Sequence, residues 1–252
     1  MKSIYPTLTN APIEEAIIQV EVKPKETCLI EDIEVLANDI VDNSPSEINE
    51  WKRIESILNF DNEEIDTKRS NLGYKASSFD EKKVFHVGYN TLIFSLLKPY
   101  KNWDYLIKLY NDAWHKFSIK TNPINITKIS LRFINKFEIP IKEWDSYILM
   151  SASLNAESEF DSSSISMGET MTRYNLKSDR YVAESVVVVS IKAINDDKLS
   201  VLLDIDVRSL DSINNYKGFH EIEDVLNRLR EFKNQIFFFI FFWLWKISDF
   251  SP

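Results

Sequence analysis

Two short patterns in this sequence set charged side chains at strand spacing. In Asp204-Ile205-Asp206-Val207-Arg208 the charges alternate with apolar residues, so on a strand Asp204, Asp206 and Arg208 project from one face. Paired carboxylates of this kind could hold a divalent cation. However, Ca²⁺ takes about 6 to 8 oxygen ligands and Mg²⁺ is usually completed by substrate phosphates. No further acidic cluster can be placed beside these two, so the sequence predicts no metal and favours an ion-paired outer sheet face. In the second pattern Lys128, Ser130, Arg132 and Lys136 share one face of a strand whose other face carries Ile129, Leu131 and Phe133. A guanidinium there could grip a phosphate or carboxylate in two-pronged fashion. If the two strands are neighbours, the same residues form a cross-strand ion-pair network instead, and that is the favoured reading. Arg132, Asp204, Asp206 and Arg208 are therefore candidate ligand-binding residues, with no catalytic residue and no metal site among them.

The other reactive side chains lack partners at useful spacing. His86 stands between Phe85 and Val87 in a strand, His115 lies beside Trp114 in a helix, and His220 is at a helix start. No serine or cysteine nucleophile pattern accompanies any of them. Cys28 has no second cysteine, so the chain forms no internal disulfide and no structural zinc site. Four glycines in 252 residues leave no Gly-rich phosphate loop. No cofactor is expected.

The elements that must position the charged residues are legible from periodicity. Ile13 to Val22 reads as a strand closed by Pro24, and Ile30, Ile33, Ala37, Ile40 and Val41 form one helical stripe. Trp51 to Phe60 reads as a strand, Asp61 to Arg69 as a polar loop, and Leu72 to Phe79, Lys83 to Gly88 and Thr91 to Leu97 as a meander. Asn102 caps a helix with Trp103, Leu106, Ile107, Tyr110, Trp114 and Phe117 inward. Ile126 to Phe137 is a long strand, Lys142 to Met150 a short helix, and Ser151 to Ser166 a polar connection. Met167 to Leu176, Tyr181 to Ala193 and Leu199 to Val207 make a second meander, and a last helix starts near Phe219. The order of elements repeats. The expected fold is α+β, a single domain over 1–252 with one antiparallel sheet. It is built from two strand-helix-meander-helix pseudo-repeats, about 11–120 and 124–245, with the helices on one face.

Thirty basic against 39 acidic residues give a net charge of −9, which argues against a nucleic-acid partner. The start lacks the charged and apolar regions of a secretory signal, and the ten apolar residues Ile236 to Trp245 fall short of the roughly 20 that span a bilayer, so a cytoplasmic protein is expected. That run must still be covered. Self-association through Phe237, Phe238, Phe241, Phe242 and Trp245 is the expected solution.

Three segments, Ala11-Pro12-Ile13-Glu14-Glu15-Ala16, Leu97-Lys98-Pro99-Tyr100 followed by Trp103, and Leu131-Arg132-Phe133-Ile134-Asn135, together resemble an uncharacterised, sporadically distributed bacterial family of similar length. Its members usually close on a mixed polar and apolar helix, from which the Phe-rich run departs. The resemblance falls on Arg132 and Asn135, which adds Asn135 to the candidate ligand-binding residues, and it implies a mobile or defence-type context and no activity, cofactor or catalytic residue. Two functions from different classes follow. The first is a non-enzymatic recognition or interaction protein in bacterial defence or toxin neutralisation, binding a protein or small ligand. The alternative is an enzyme or sensor that binds a nucleotide or phosphorylated ligand through Arg132 and Asp204 or Asp206.

Overall fold

A computed structural model describes residues 5, 6, 8, 10–25, 29–41, 46–59, 64–78, 82–140, 169–194 and 197–240, without the side chains of 46, 56–59 and 64–66. Among these residues the order is β1 (Ile13–Pro24), α1 (Ile30–Ile40), β2 (Ser46–Asn59), β3 (Glu64–Ser78), β4 (Lys83–Gly88), β5 (Thr91–Leu97), α2 (Trp103–Thr121) and β6 (Pro123–Pro140). It continues with β7 (Glu169–Ser178), β8 (Ala183–Ala193), β9 (Lys198–Ser209) and α3 (Phe219–Ile240). The chain is α+β, with a large antiparallel sheet of nine strands and three helices among the described residues. Lys142 to Met150, Ser151 to Ser166, Cys28, Phe241, Phe242 and Trp245 lie outside the described residues.

The chain divides into two compact units. The first comprises Ile17–Ile129 and Asp211–Glu223; the second comprises Met1–Ala16, Ser130–Leu210 and Asp224–Pro252. β1 and β6 each supply residues to both.

In the first unit the strand order is β2-β3-β4-β5-β1. Ile18, Val20 and Val22 are buried at period two, and the Phe85 and Phe94 rings stack at 4.7 Å on the same covered side. Asn102 begins α2 as its sequence implies, its side-chain oxygen accepting from the Tyr105 N–H at 2.8 Å. The helix ends at Asn122, which takes the left-handed conformation (φ 43°), and Pro123 then starts β6. The apolar stripe of α2 is buried as expected, and Trp114 donates its indole N–H to the Tyr216 hydroxyl at 2.8 Å. Lys120 joins α2 to α1 through Asp32 at 2.6 Å, a hydrogen bond that holds the Asp32 carboxyl below its ordinary pKa.

The polar stretch from Asp61 is where the sequence reading fails. Glu64 to Arg69, read as loop, is strand: β2 and β3 pair without a break from Lys52↔Asn71 to Asn59↔Glu64. Of β3, only Gly73 to Ser78 pair with β4. The outer eight pairs of the hairpin therefore form a two-stranded ribbon, on which Lys52, Arg53, Ile54, Glu55, Thr67, Lys68 and Arg69 are all exposed. A strand wet on both faces carries no alternation of apolar and polar residues, so its sequence looks like a loop.

In the second unit the order is β6-β9-β8-β7, all three pairings antiparallel. Leu131, Phe133, Val201, Leu203, Ile205, Val207, Ala183, Val187 and Val189 form its buried face. α3 covers that face, with Phe232 stacked on Tyr181 at 5.3 Å. The described part of the apolar C-terminal run belongs to this core. Ile236, Phe237 and Ile240 are buried and Phe238 stacks on Tyr5 at 5.3 Å, while only Phe239 is exposed. Positions 236, 237 and 240 continue the inward stripe of the helix, so Phe237 is held within the unit.

Candidate functional site

The side of the β6-β9-β8-β7 sheet opposite the buried face follows from register. Four strands in antiparallel pairing place residues in rows across the sheet: Arg132, Asp206, Val186 and Asn175 in one, and Ile134, Asp204, Val188 and Arg173 in the next. Lys136, Leu202, Ser190 and Met171 make the third row on this side, and Ser130, Arg208, Glu184 and Lys177 lie beyond the first. Alternation therefore brings Arg132, Asp204, Asp206 and Arg208 onto one face, as their spacing predicts.

Within that face the guanidinium and the carboxylate meet diagonally. Arg132 Nε donates to Asp204 Oδ1 at 2.8 Å and Nη2 donates to Oδ2 at 2.5 Å, a two-pronged ion pair. The hydrogen bonds to Asp204 raise the Arg132 pKa above its ordinary value, and the charges of Asp206 and Glu15 add to the rise. Arg132 thus stands among three carboxylates. Arg208 pairs with Glu184 across the β9–β8 boundary. Lys128, on the first-unit part of β6, pairs with Glu21 at 3.0 Å, and Glu21 also accepts from the Gln19 amide at 2.9 Å. Two members of the basic stripe, Lys128 and Arg132, are ion-paired.

Asn135 does not join it. One residue out of phase with Arg132, it points to the covered side, where it is buried and its amide donates to the Leu203 carbonyl at 3.1 Å and the Phe133 carbonyl at 3.4 Å. The period-two rule separates positions 132 and 135. Asn135 satisfies backbone acceptors in the core and is not placed to touch a ligand beside Arg132.

The remaining titratable groups make no catalytic cluster among the described residues. His86 meets the Trp51 ring edge-on at 5.2 Å, its Nδ1 is buried without a hydrogen-bond partner, and burial with the Lys75 charge lowers its pKa. An uncharged imidazole with no orienting acid lacks the partner that general-base chemistry needs. No group of three or more His, Cys, Asp or Glu among the described residues is placed to hold a metal.

One unusual residue escaped the sequence reading. Lys233 of α3 sets its ammonium over the Phe133 ring at 4.3 Å and within 6.0 Å of the Phe237 ring. Burial, reinforced by Arg230, lowers its pKa to about 7. The signal was present: Leu226, Leu229, Ile236 and Ile240 are spaced for a buried seam, and 233 is the missing member of the series.

The outer face also carries apolar side chains. Ile134, Val186 and Val188 are half-buried, Leu202 is 37% exposed and Met171 is 73% exposed. Asp204 and Asp206 lie between Ile134 on β6 and Val186 and Val188 on β8, and Arg132, Arg208, Glu184, Arg173 and Lys136 stand around them. Such a surface can bind by burying apolar area, with its charges selecting the partner. No helix among the described residues is long and apolar enough to cross a membrane. No family model and no curated protein matches the chain.

Proposed function

We propose that this protein is a non-enzymatic recognition module that binds a protein partner on the outer face of β6-β9-β8-β7. The observation that carries the reading is the make-up of that face, on which the apolar side chains of Ile134, Val186, Val188, Leu202 and Met171 stand among ion pairs. Protein interfaces have an apolar core and a polar rim, with Met and Arg enriched. The occupied fork of Arg132 weighs against the phosphate reading. An incoming anion would have to displace Asp204 and sit beside Asp206 and Glu15. The similarity of three sequence segments to a bacterial family extends the proposal to a cytoplasmic role in defence or toxin neutralisation.

Strand order supports the proposed pseudo-repeat. In one unit the first strand lies beside the last of a meander, β1-β5-β4-β3, and in the other the order is β6-β9-β8-β7. Helices gathered on one face are the rest of that proposal.

The test is comparative capture from a bacterial host using the full chain, Val188→Glu and Arg132→Ala. A protein retained by the wild type, lost by Val188→Glu and weakened by Arg132→Ala supports the reading when both variants keep wild-type circular dichroism. Equal retention by all three chains overturns it, and so does a phosphorylated small molecule bound through Arg132.

A further inference from the structure

β7 is an edge of the sheet: among the described residues it pairs with β8 on one side and with no strand on the other. It is paired along its whole length, Glu169 to Ser178, without a register shift, and it contains neither proline nor glycine. The backbone N–H and C=O groups on its far side are therefore a template for another strand. Shortness, proline and bulges are usual protections of such an edge, and β7 has none of them.

The two sides of β7 differ in chemistry. On the covered side, opposite the buried Val189, Val187 and Ser185, stand Thr172, Tyr174 and Leu176, all half-buried. On the outer face Met171, Arg173, Asn175 and Lys177 are exposed at period two. Lys192 of β8 is exposed on the same face. This strip is basic in a chain whose net charge is −9. Arg173 lies opposite Val188, and Lys177 opposite Glu184, whose carboxylate pairs with Arg208. The acid of β7, Glu169, stands at the start of the strand opposite Lys192. Neither Arg173 nor Lys177 has an ion pair among the described residues.

We propose, on the footing of the recognition reading above, that the protein partner contributes an extended segment of alternating acidic and apolar residues, which adds to β7 as a further strand. Main-chain hydrogen bonds to the edge supply affinity in such an addition, and alternate side chains supply specificity. Arg173 and Lys177 are four residues apart, roughly 14 Å along a strand. Acids at alternate positions of the segment therefore meet Arg173, Asn175 and Lys177 in turn, while its apolar positions fall beside Thr172, Tyr174 and Leu176. The charges choose this occupant. A second copy adding its own β7 would set bases beside bases, and like charges on facing strands repel. A nucleic acid or an anionic lipid surface matches the charge but leaves the backbone template unused.

The experiment follows the binding of labelled peptides to the full chain by fluorescence anisotropy, each peptide of about eight residues, within the usual range of strand lengths. A peptide alternating Glu and Val is expected to bind. Its counterpart alternating Lys and Val, and the Glu and Val peptide with its backbone amides N-methylated, should each bind about tenfold more weakly or worse. Arg173→Glu with Lys177→Glu should release the acidic peptide and gain the basic one. If that chain loses its native circular dichroism, Arg173→Gln with Lys177→Gln replaces it and should release the acidic peptide. A wild type that binds no peptide overturns the proposal. So does one that holds the N-methylated peptide as well as its parent, because charge alone then suffices. Light scattering that shows copies joined through β7 and parted by the charge reversal puts a second copy on the edge, and also overturns it. In capture from the host, a protein lost by Val188→Glu but held undiminished by the charge-reversed edge overturns the proposal and leaves the outer-face reading standing. The expected peptide results with capture indifferent to Val188→Glu support the edge and overturn the outer-face reading alone.

Discussion

At position 233 the spacing of α3 calls for an apolar side chain, and the chain supplies an amine, which settles on the Phe133 and Phe237 rings. The rings favour the charged form by about 0.5–1 kcal/mol, but loss of water disfavours it more, and the pKa falls to about 7. Because an unfolded lysine titrates near 10.4, the cost of burying the charge is fully present below pH 7. It shrinks as pH rises from 7 toward 10, where the folded chain has already lost the proton that the unfolded chain still holds. Lys233→Met should therefore raise the urea midpoint at pH 7 by the equivalent of about 1 kcal/mol, and this advantage should fade toward pH 10. A gain independent of pH would show that the ammonium is not the cause. Lys233 was legible as a misfit in an apolar series, and the Arg132–Asp204 pair as a consequence of alternation in two strands. Asn135 was legible too, since its parity alone puts it on the covered face; grouping it with Arg132 followed the resemblance that falls on both residues instead of the pleat.

Where β3 leaves the sheet, the register shifts between Trp51 and Lys52, and Leu72 is the extra residue opposite them. Gly73 follows with φ 144°, a conformation that L side chains rarely adopt, and its N–H donates to the Asn71 side chain at 2.8 Å. A Cβ at this position would lie 2.0 Å from the Val87 carbonyl oxygen, which is fixed backbone. Gly73→Ala should cost about 3 kcal/mol or more in denaturant unfolding. A change below about 0.5 kcal/mol, the range of ordinary surface substitutions, would mean that the bend tolerates a side chain. Elements with one wet and one dry face were read correctly, α2 most fully because a cap and a wide stripe agreed. The β3 side of the ribbon, Glu64 to Arg69, was missed because pairing between backbones, rather than burial, makes it a strand.

For the molecule as a whole, the division into units does not coincide with a division of the chain. Ile13–Ala16 of β1 and Ser130–Pro140 of β6 belong to one unit, Ile17–Pro24 and Pro123–Ile129 of the same strands to the other. Strands shared in this way should make unfolding a single cooperative transition by calorimetry and by fluorescence alike, and two separated transitions would contradict it. The shared strands also set a timetable for synthesis. Growing at roughly 5–20 residues per second, the chain exposes Ile13–Ala16 for several seconds before Ser130–Leu210, the main body of their unit, has been made. The other unit waits in turn for Asp211–Glu223. The start of β1 therefore emerges long before the rest of its unit, a period in which a chaperone has something to hold and a neighbouring nascent chain has something to steal.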